Sequence, residues 1–179
     1  MSSTPGTPAD AARPPVDAVA DAVPGALPDA AVRVLRQFRI VFSAVRSHFR
    51  EVEKRAGVGG AQLWALSLID AQPGLGVNAL ARAMDIRQTT ASNLVRTLAA
   101  ASLVVAQRNG ADRRRVELRI LPAGQAVLRK APPPFSGVVP VALAGLDAET
   151  LQRLETDLGR LIEMLHADRR AAGVPLAQI

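Results

Sequence analysis

Cysteine is absent from the 179 residues of this chain, and histidine occurs only twice, at His48 and His166. Without a thiol the chain can have no disulfide, no zinc–thiolate site and no redox-sensing cysteine. Two histidines are also too few for a histidine-rich metal site. No apolar run reaches the roughly 20 residues that a membrane span requires. The chain does not begin with a basic segment followed by an apolar one, so we see no secretory signal and expect a cytoplasmic protein.

Positive charge is concentrated in one part of the sequence. The whole chain has 22 basic and 16 acidic residues, a net charge of +6. Residues 82–130 alone contain ten basic and three acidic residues, a net charge of +7. A basic face that served only solubility would be spread more evenly. The concentration is typical of a segment that binds nucleic acid.

Two short helical patterns lie on either side of a tight turn, Met84–Arg87. The first places Leu80, Ala83 and Met84 inward, and the second has a regular apolar face of its own (Ala91, Leu94 and Leu98). The opposite face of the second helix is polar. Such a face is either simply solvated or able to reach base edges in a DNA major groove. The candidate DNA-contacting residues on it are Gln88, Thr89, Ser92, Asn93 and Arg96.

A β-hairpin is predicted to follow. The run 103–107 favours a strand, and Val116, Leu118 and Ile120 alternate with outward positions. Between the strands we expect an exposed loop with a tight Asn-Gly turn and four arginines, whose mutual repulsion DNA phosphate or a narrow minor groove would relieve. An aspartate in the loop can orient one guanidinium. The candidate DNA contacts of this wing are Arg108, Asp112, Arg113, Arg114 and Arg115. Helix, turn, helix and hairpin together predict a winged helix-turn-helix over residues 58–122.

Helical patterns flank this domain on both sides. A long amphipathic helix is predicted from Pro28–Asp29 to about Arg55. After it, Gln62–Ala71 is apolar on most sides and should lie in the core. Another helix starts at Pro122, is interrupted by three consecutive prolines at 132–134, and is followed by a short helical piece. The last helix is capped by Asp147 and has leucines at steps of three and four, which form a heptad seam. These leucines are Leu151, Leu154, Leu158, Leu161 and Leu165.

The flanking helices predict a dimer. A single recognition helix reads few base pairs, and dimers bind two half-sites about one turn of DNA apart. We therefore assign residues 28–57 and 123–170 to a helical dimerisation region; the alternative is that the leucines pack only within one chain. Residues 1–27 are rich in proline, alanine, serine and threonine and are expected to form a disordered tail. The predicted fold class is mostly α with a small β-hairpin wing.

The chain resembles the MarR family of bacterial winged helix-turn-helix regulators over about residues 30–168. The resemblance rests on Leu80-Ala81, Thr90, Ser92, Leu103-Val104, Asp112-Arg113-Arg114, Leu121 and Gly124. Four positions depart from the family pattern. Asp85 and Ser102 stand where a glycine is common, Arg87 replaces the serine or threonine expected to cap the recognition helix, and Pro122 replaces a threonine. These departures concern local capping geometry rather than the fold.

Residues and resemblance together predict a homodimeric transcription regulator, a repressor, that binds a pseudo-palindromic operator. Release by a small-molecule effector is implied by the resemblance alone. The alternative is an architectural DNA-binding protein with little sequence specificity and no ligand, although a pure backbone binder needs no amides aimed at bases. We predict no enzymatic activity and no cofactor, since we find no Ser-His-Asp arrangement, phosphate-binding glycine loop or paired carboxylates.

In proteins that look like this one, the effector often binds where the first and second helices meet the DNA-binding region. Arg39, Arg46 and His48 flank the apolar stripe of the first helix, and Trp64 lies on the next helix. An aromatic ring beside a guanidinium suits a small aromatic carboxylate, such as a benzoate. The plainer interpretation is that Trp64 is core and the other three are solvated. Because cysteine is absent, a ligand is the expected trigger rather than thiol oxidation.

Overall fold

A computed structural model describes residues 27–109 and 112–178, and side chains between these bounds except those of 108–115 and 178. The predicted disordered tail lies almost wholly outside the described residues. The elements in chain order are α1 Asp29–Ala56, α2 Gly60–Ala71, α3 Val77–Ala83, α4 Gln88–Ala100, β1 Val104–Asn109, β2 Asp112–Ile120, α5 Pro122–Lys130, α6 Val138–Ala144 and α7 Ala148–Met164. Two short 3₁₀ turns follow, Arg169–Gly173 and Leu176–Gln178. The predicted fold class, helices with one small hairpin, is confirmed.

The chain separates into two units within α1. The first ends at Phe38 and contributes, among the described residues, only the opening turns of that helix. The second, Arg39–Ile179, contains the rest of α1 and all the other elements. The long first helix is predicted correctly to within a residue at its C-terminus. It ends at Gly57, whose φ of 71° is a conformation that glycine adopts without steric cost.

The core of the second unit is built around α2. Leu63, Leu66 and Ile69 are fully buried there, as expected for a helix that is apolar on most sides. They belong to one cluster with Leu98 of α4 and Leu118 of β2. At about 25 cal/mol per Å² of buried apolar surface, this shared cluster is the main term that holds the helices and the hairpin together. The position of α4 is therefore set by its apolar face.

The turn between α3 and α4 supplies a backbone conformation that is unusual for non-glycine residues. Asp85 has a φ of 51°, and Ser102, just after α4, has a φ of 56°. These are the two positions where the family pattern commonly has glycine, and a short polar side chain tolerates such φ values better than a branched one. Leu80 and Met84 of this region are buried as predicted, but Ala83 is exposed. Ala81 is buried instead, so the inward face of α3 is rotated from the predicted one.

The hairpin is longer than predicted. Its antiparallel register pairs Val104 with Ile120 and continues to Arg108 opposite Val116, after which it shifts so that Asn109 pairs with Asp112. The residues expected on an exposed loop, 108–115, are therefore mostly strand residues by backbone, and only Gly110 and Ala111 lie outside the described elements. The apolar alternation of β2 starts only at Val116, whereas the backbone pairing of this strand already starts at Asp112. A bridge from Leu75 to Leu118 also ties β2 to the connection before α3.

The C-terminal helices follow the predicted breaks. Pro122 occupies the first turn of α5, and the helix ends before Pro132–Pro134. Asp147 caps α7, with its Oδ1 accepting a hydrogen bond from the Thr150 backbone N–H at 2.8 Å. That hydrogen bond, followed by one from the Thr150 hydroxyl, lowers the pKa of Asp147. Neither α6 nor α7 has a buried residue within the chain.

Candidate nucleic-acid interface

The exposed face of α4 is polar over three turns. Its opposite face is held in the core by Ala91, Leu94, Val95 and Leu98, all buried. This anchoring leaves four of the five predicted contact residues exposed, and the fifth, Ser92, half-buried beside them. The face consists of Gln88, Thr89, Ser92, Asn93 and Arg96. The structure thus brings together the residues that sequence analysis assigned to base recognition.

Two hydrogen bonds organise this polar face. The Gln88 side-chain amide donates to the Ser92 hydroxyl at 3.1 Å, and the Arg96 guanidinium donates to Asn93 Oδ1 at 2.9 Å. Both join residues one helical turn apart, the spacing at which helix side chains meet. The second bond turns the Asn93 NH₂ group away from Arg96, because the amide oxygen is already used. Donors on this face can therefore point outward to acceptors such as the N7 and O6 atoms of purines.

A groove of about 410 Å³ lies between the start of α3, the start of α4 and β2. Gln88 and Ser92 form one side of it, and Asn78 and Arg82 of α3 form the other. Arg82 contributes to the positive charge of residues 82–130, but neither Arg82 nor Asn78 is among the DNA contacts predicted from the sequence. The signal available was their position one helix before the recognition helix, where backbone phosphates are contacted in helix-turn-helix proteins. The groove extends the candidate interface beyond α4.

The wing is placed by its backbone only. Arg108 lies in β1, and Asp112–Arg115 lie in β2, directly after the recognition helix in the chain. The side chains of Arg108, Asp112, Arg113, Arg114 and Arg115 lie outside the described residues, so their contacts remain predictions. Farther along β2, Arg119 is exposed and lies 3.6 Å from the Glu117 carboxylate.

A second, more apolar cavity of about 180 Å³ lies beside α2. Its walls include Phe49 of α1, Trp64 of α2, Met84 and Ile86 of the helix-turn-helix turn, and Pro140 of α6. Residues after α7 complete the wall (Ala172, Val174, Pro175, Leu176 and Ala177). Volume and lining fit a ring-sized apolar group more than a large polar ligand.

Of the four predicted effector residues, the cavity wall contains Trp64 but not the other three. Trp64 lines this cavity, next to Phe49. Arg39 and Arg46 are exposed on α1 and do not belong to the cavity wall. His48 is half-buried and packs edge-on against the Phe49 ring, with ring centroids 5.3 Å apart. Its Nε2 has no hydrogen-bond partner among the described residues. Phe49, which lines the cavity one residue after His48, is not among the effector residues predicted from the sequence.

Neither a metal site nor a membrane-spanning helix is found within residues 27–109 and 112–178. In these ranges no three His, Asp or Glu side chains lie together as a metal site would need. No helix in the described part of the chain is long and apolar enough to cross a membrane.

A known protein family matches the central part of the chain. A sequence model of the MarR family covers residues 56–115, from the end of α1 into β2. The match contains both helices of the helix-turn-helix and most of the hairpin. The helix-turn-helix segment of this chain is therefore similar to that of the MarR family. No curated protein sequence matches the chain.

Several solved structures are similar to this chain. A MepR-like protein complexed with pseudoligands is 18% identical, with a TM-score of 0.52 covering 77% of this chain and 94% of that chain. Staphylococcus aureus MepR in a DNA complex is 18% identical (TM-score 0.48, 73% and 96% covered). Streptococcus pneumoniae FabT in complex with DNA is 15% identical (TM-score 0.49, 77% and 98% covered). The likeness to the MepR-like protein, at 18% identity, concerns the fold alone.

Proposed function

We propose that this chain is a MarR-type homodimeric DNA-binding transcription regulator, a repressor, that is released from a pseudo-palindromic operator by a small aromatic acid. The observation that carries the proposal is the exposed polar face of α4, held outward by a fully anchored apolar face. Such a helix, followed by a basic hairpin, has the form of a recognition helix that enters a major groove. No catalytic role is proposed for any residue.

The dimer is supported by the surface of α7. Five leucines that follow a heptad spacing are 36–65% exposed within one chain (Leu151, Leu154, Leu158, Leu161 and Leu165). Val141 and Leu143 of α6 are exposed as well. Exposed apolar side chains in such number on a single chain indicate a protein partner. A second copy of the chain is the partner that also provides the second recognition helix.

The mode of DNA binding follows from charge and position. We assign the α4 face to the major groove, with Asn93 and Arg96 at base edges. We assign Arg114 to the minor groove and the other wing arginines to phosphates, which would account for the positive charge of residues 82–130. Asn78 and Arg82 are proposed as additional backbone contacts, because they share a groove with Gln88 and Ser92.

DNase footprinting with random genomic fragments tests this function against an architectural role. We expect the protein to protect a few inverted repeats whose half-sites are one helical turn apart. Sedimentation of the complex should give two chains per repeat. Uniform coverage of all fragments, with no preferred site, would establish the architectural alternative and overturn the regulator.

The effector prediction uses Trp64, the only tryptophan in the chain. We expect at least one member of a panel of benzoates and pyridine carboxylates to quench Trp64 fluorescence and to weaken operator binding over the same concentration range. We propose that the ring occupies the cavity beside Trp64 and that Arg46, which is exposed on α1 outside the wall of that cavity, binds the carboxylate. Fluorescence titration and operator binding by anisotropy provide the two measurements.

Substitution separates the roles of the arginines. Arg46→Ala should blunt both responses, whereas Arg50→Ala, an exposed residue of the same helix without an assigned role, should blunt neither. If the whole panel leaves Trp64 fluorescence and DNA affinity unchanged, the proposal of an aromatic-acid effector is wrong. The proposal that the chain binds DNA does not depend on that result.

A further inference from the structure

The chain does not end at α7 but returns to the helix-turn-helix. We call residues Asp168–Ala177 the C-terminal strap. Asp168 Oδ1 accepts a hydrogen bond from the Arg170 backbone N–H at 2.8 Å, which begins the first 3₁₀ turn. Pro175 is buried, Val174 is half-buried, and Ala177 packs against the core cluster. These contacts hold the strap on the surface beside α2.

The strap meets the chain at the start of α4. Arg87 is the N-cap residue of that helix and provides no side-chain cap. Its guanidinium Nη2 instead donates to the Arg170 carbonyl at 2.6 Å, and its backbone N–H donates to the Gly173 carbonyl at 3.4 Å. Gly173 has no side chain to obstruct this approach: a Cβ there would lie 2.9 Å from Arg87 Cγ.

This arrangement replaces the missing cap by a tertiary contact. Serine or threonine at an N-cap stabilises the first turn of a helix locally. Arg87 cannot do this, but the strap attaches the backbone and side chain of Arg87 to a segment more than 80 residues away in sequence. Both acceptors are backbone carbonyls, so the attachment depends on where the strap lies and not on the identity of its side chains.

We propose that the C-terminal strap positions the recognition helix and that Arg87 is the positioning residue through which it acts. The inference rests on the proposed DNA-binding function of α4. When the strap is docked, the first turn of α4 stays ordered, and the side chains of Gln88 and Ser92 keep the orientation in which they would enter the major groove. With the strap released, that turn frays and operator recognition weakens.

A different role for Arg87 makes a different prediction. A guanidinium at the start of a recognition helix could bind a DNA phosphate directly. In that case the loss of Arg87 would lower the slope of log K against log salt by about 0.9, the value for one phosphate, and strap variants would not reproduce the effect.

A double-mutant cycle in the full chain distinguishes the two roles. Val174→Asn leaves the net charge unchanged. It disfavours docking of the strap, because it places an amide without a hydrogen-bond partner in a half-buried apolar position. We expect Arg87→Ala and Val174→Asn each to weaken operator binding roughly fivefold, as for the loss of one hydrogen bond, and the double variant to lose no more than either alone.

Two further variants support the cycle. Pro175→Asn, at the buried proline, is a second substitution that should release the strap without changing the net charge. Arg170→Ala is the matched control, since it removes a side chain and a charge but keeps the carbonyl acceptor, and its affinity should stay within about twofold.

Hydrogen exchange provides a readout that does not require DNA. The amides at the start of α4 should exchange faster in Arg87→Ala, Val174→Asn and Pro175→Asn, while those of α7 and the thermal unfolding transition stay close to wild type. Unchanged exchange at α4 in all three variants, or losses of affinity that multiply in the double variant, would overturn the strap. If the wild-type chain fails to prefer any operator, the proposed function fails, but the exchange result still tests the strap.

Discussion

The double substitution Leu158→Asp with Leu161→Asp is expected to convert the protein to a folded monomer that no longer binds its operator measurably. Within one chain these leucines are 42% and 36% exposed, so carboxylates there remain solvated and the fold should persist. In the proposed dimer the same positions are buried against the partner, and four unpaired charges would have to be desolvated. Loss of one recognition helix from the complex removes half of the base and phosphate contacts. Sedimentation velocity, far-ultraviolet circular dichroism and operator anisotropy measure the three consequences.

The control for this experiment lies on the same helix. Gln152→Asp with Thr156→Asp adds the same charge at two exposed positions of α7 outside the leucine series. This variant should remain dimeric and retain operator binding, apart from a small electrostatic loss. A Leu158→Asp, Leu161→Asp protein that stays dimeric and binds the operator would rule out the leucine seam as the interface.

The elements governed by local chemistry are the ones that sequence analysis placed correctly. Asp147 caps α7, Pro122 starts α5, and Gly57 ends α1, each by a mechanism that involves only neighbouring residues. Asp85 and Ser102, which stand where the resemblance leads one to expect glycine, both adopt positive φ values. The apolar periodicity of α4 likewise predicted its exposed face.

Features that depend on contacts between residues distant in sequence could not be predicted from local sequence patterns. Ala83 satisfies the helical periodicity of α3, yet it is exposed and Ala81 is buried in its place, since the face of a short helix that packs on the core depends on residues distant in sequence. The hairpin continues to Arg108 through backbone pairing, which side-chain alternation does not report. The contact between Arg87 and Arg170 joins residues 83 positions apart, and no local pattern near either residue indicates it.

The candidate interface combines two kinds of DNA contact that should respond differently to substitution. Asn93 lies on the exposed face of α4, and its Oδ1 accepts a hydrogen bond from Arg96, so its NH₂ group is the part that we assign to base recognition. Arg114 belongs to the basic hairpin, where several arginines together supply charge. A base contact discriminates between sequences, whereas a backbone or minor-groove arginine strengthens binding to all of them.

Asn93→Ala is therefore expected to relax the preference at one base position in each half-site, by about 1–3 kcal/mol of discrimination, while non-specific binding is retained. Arg114→Ala is expected to weaken binding to every sequence and to reduce the slope of log K against log salt by about 0.9 for each phosphate that is no longer neutralised. Anisotropy titrations of both variants, on the operator and on its single-base variants at several salt concentrations, measure the two effects side by side. If Arg114→Ala changes neither affinity nor salt slope, the wing does not contact DNA. If Asn93→Ala leaves all base preferences intact, the outward face of α4 does not read bases through this amide.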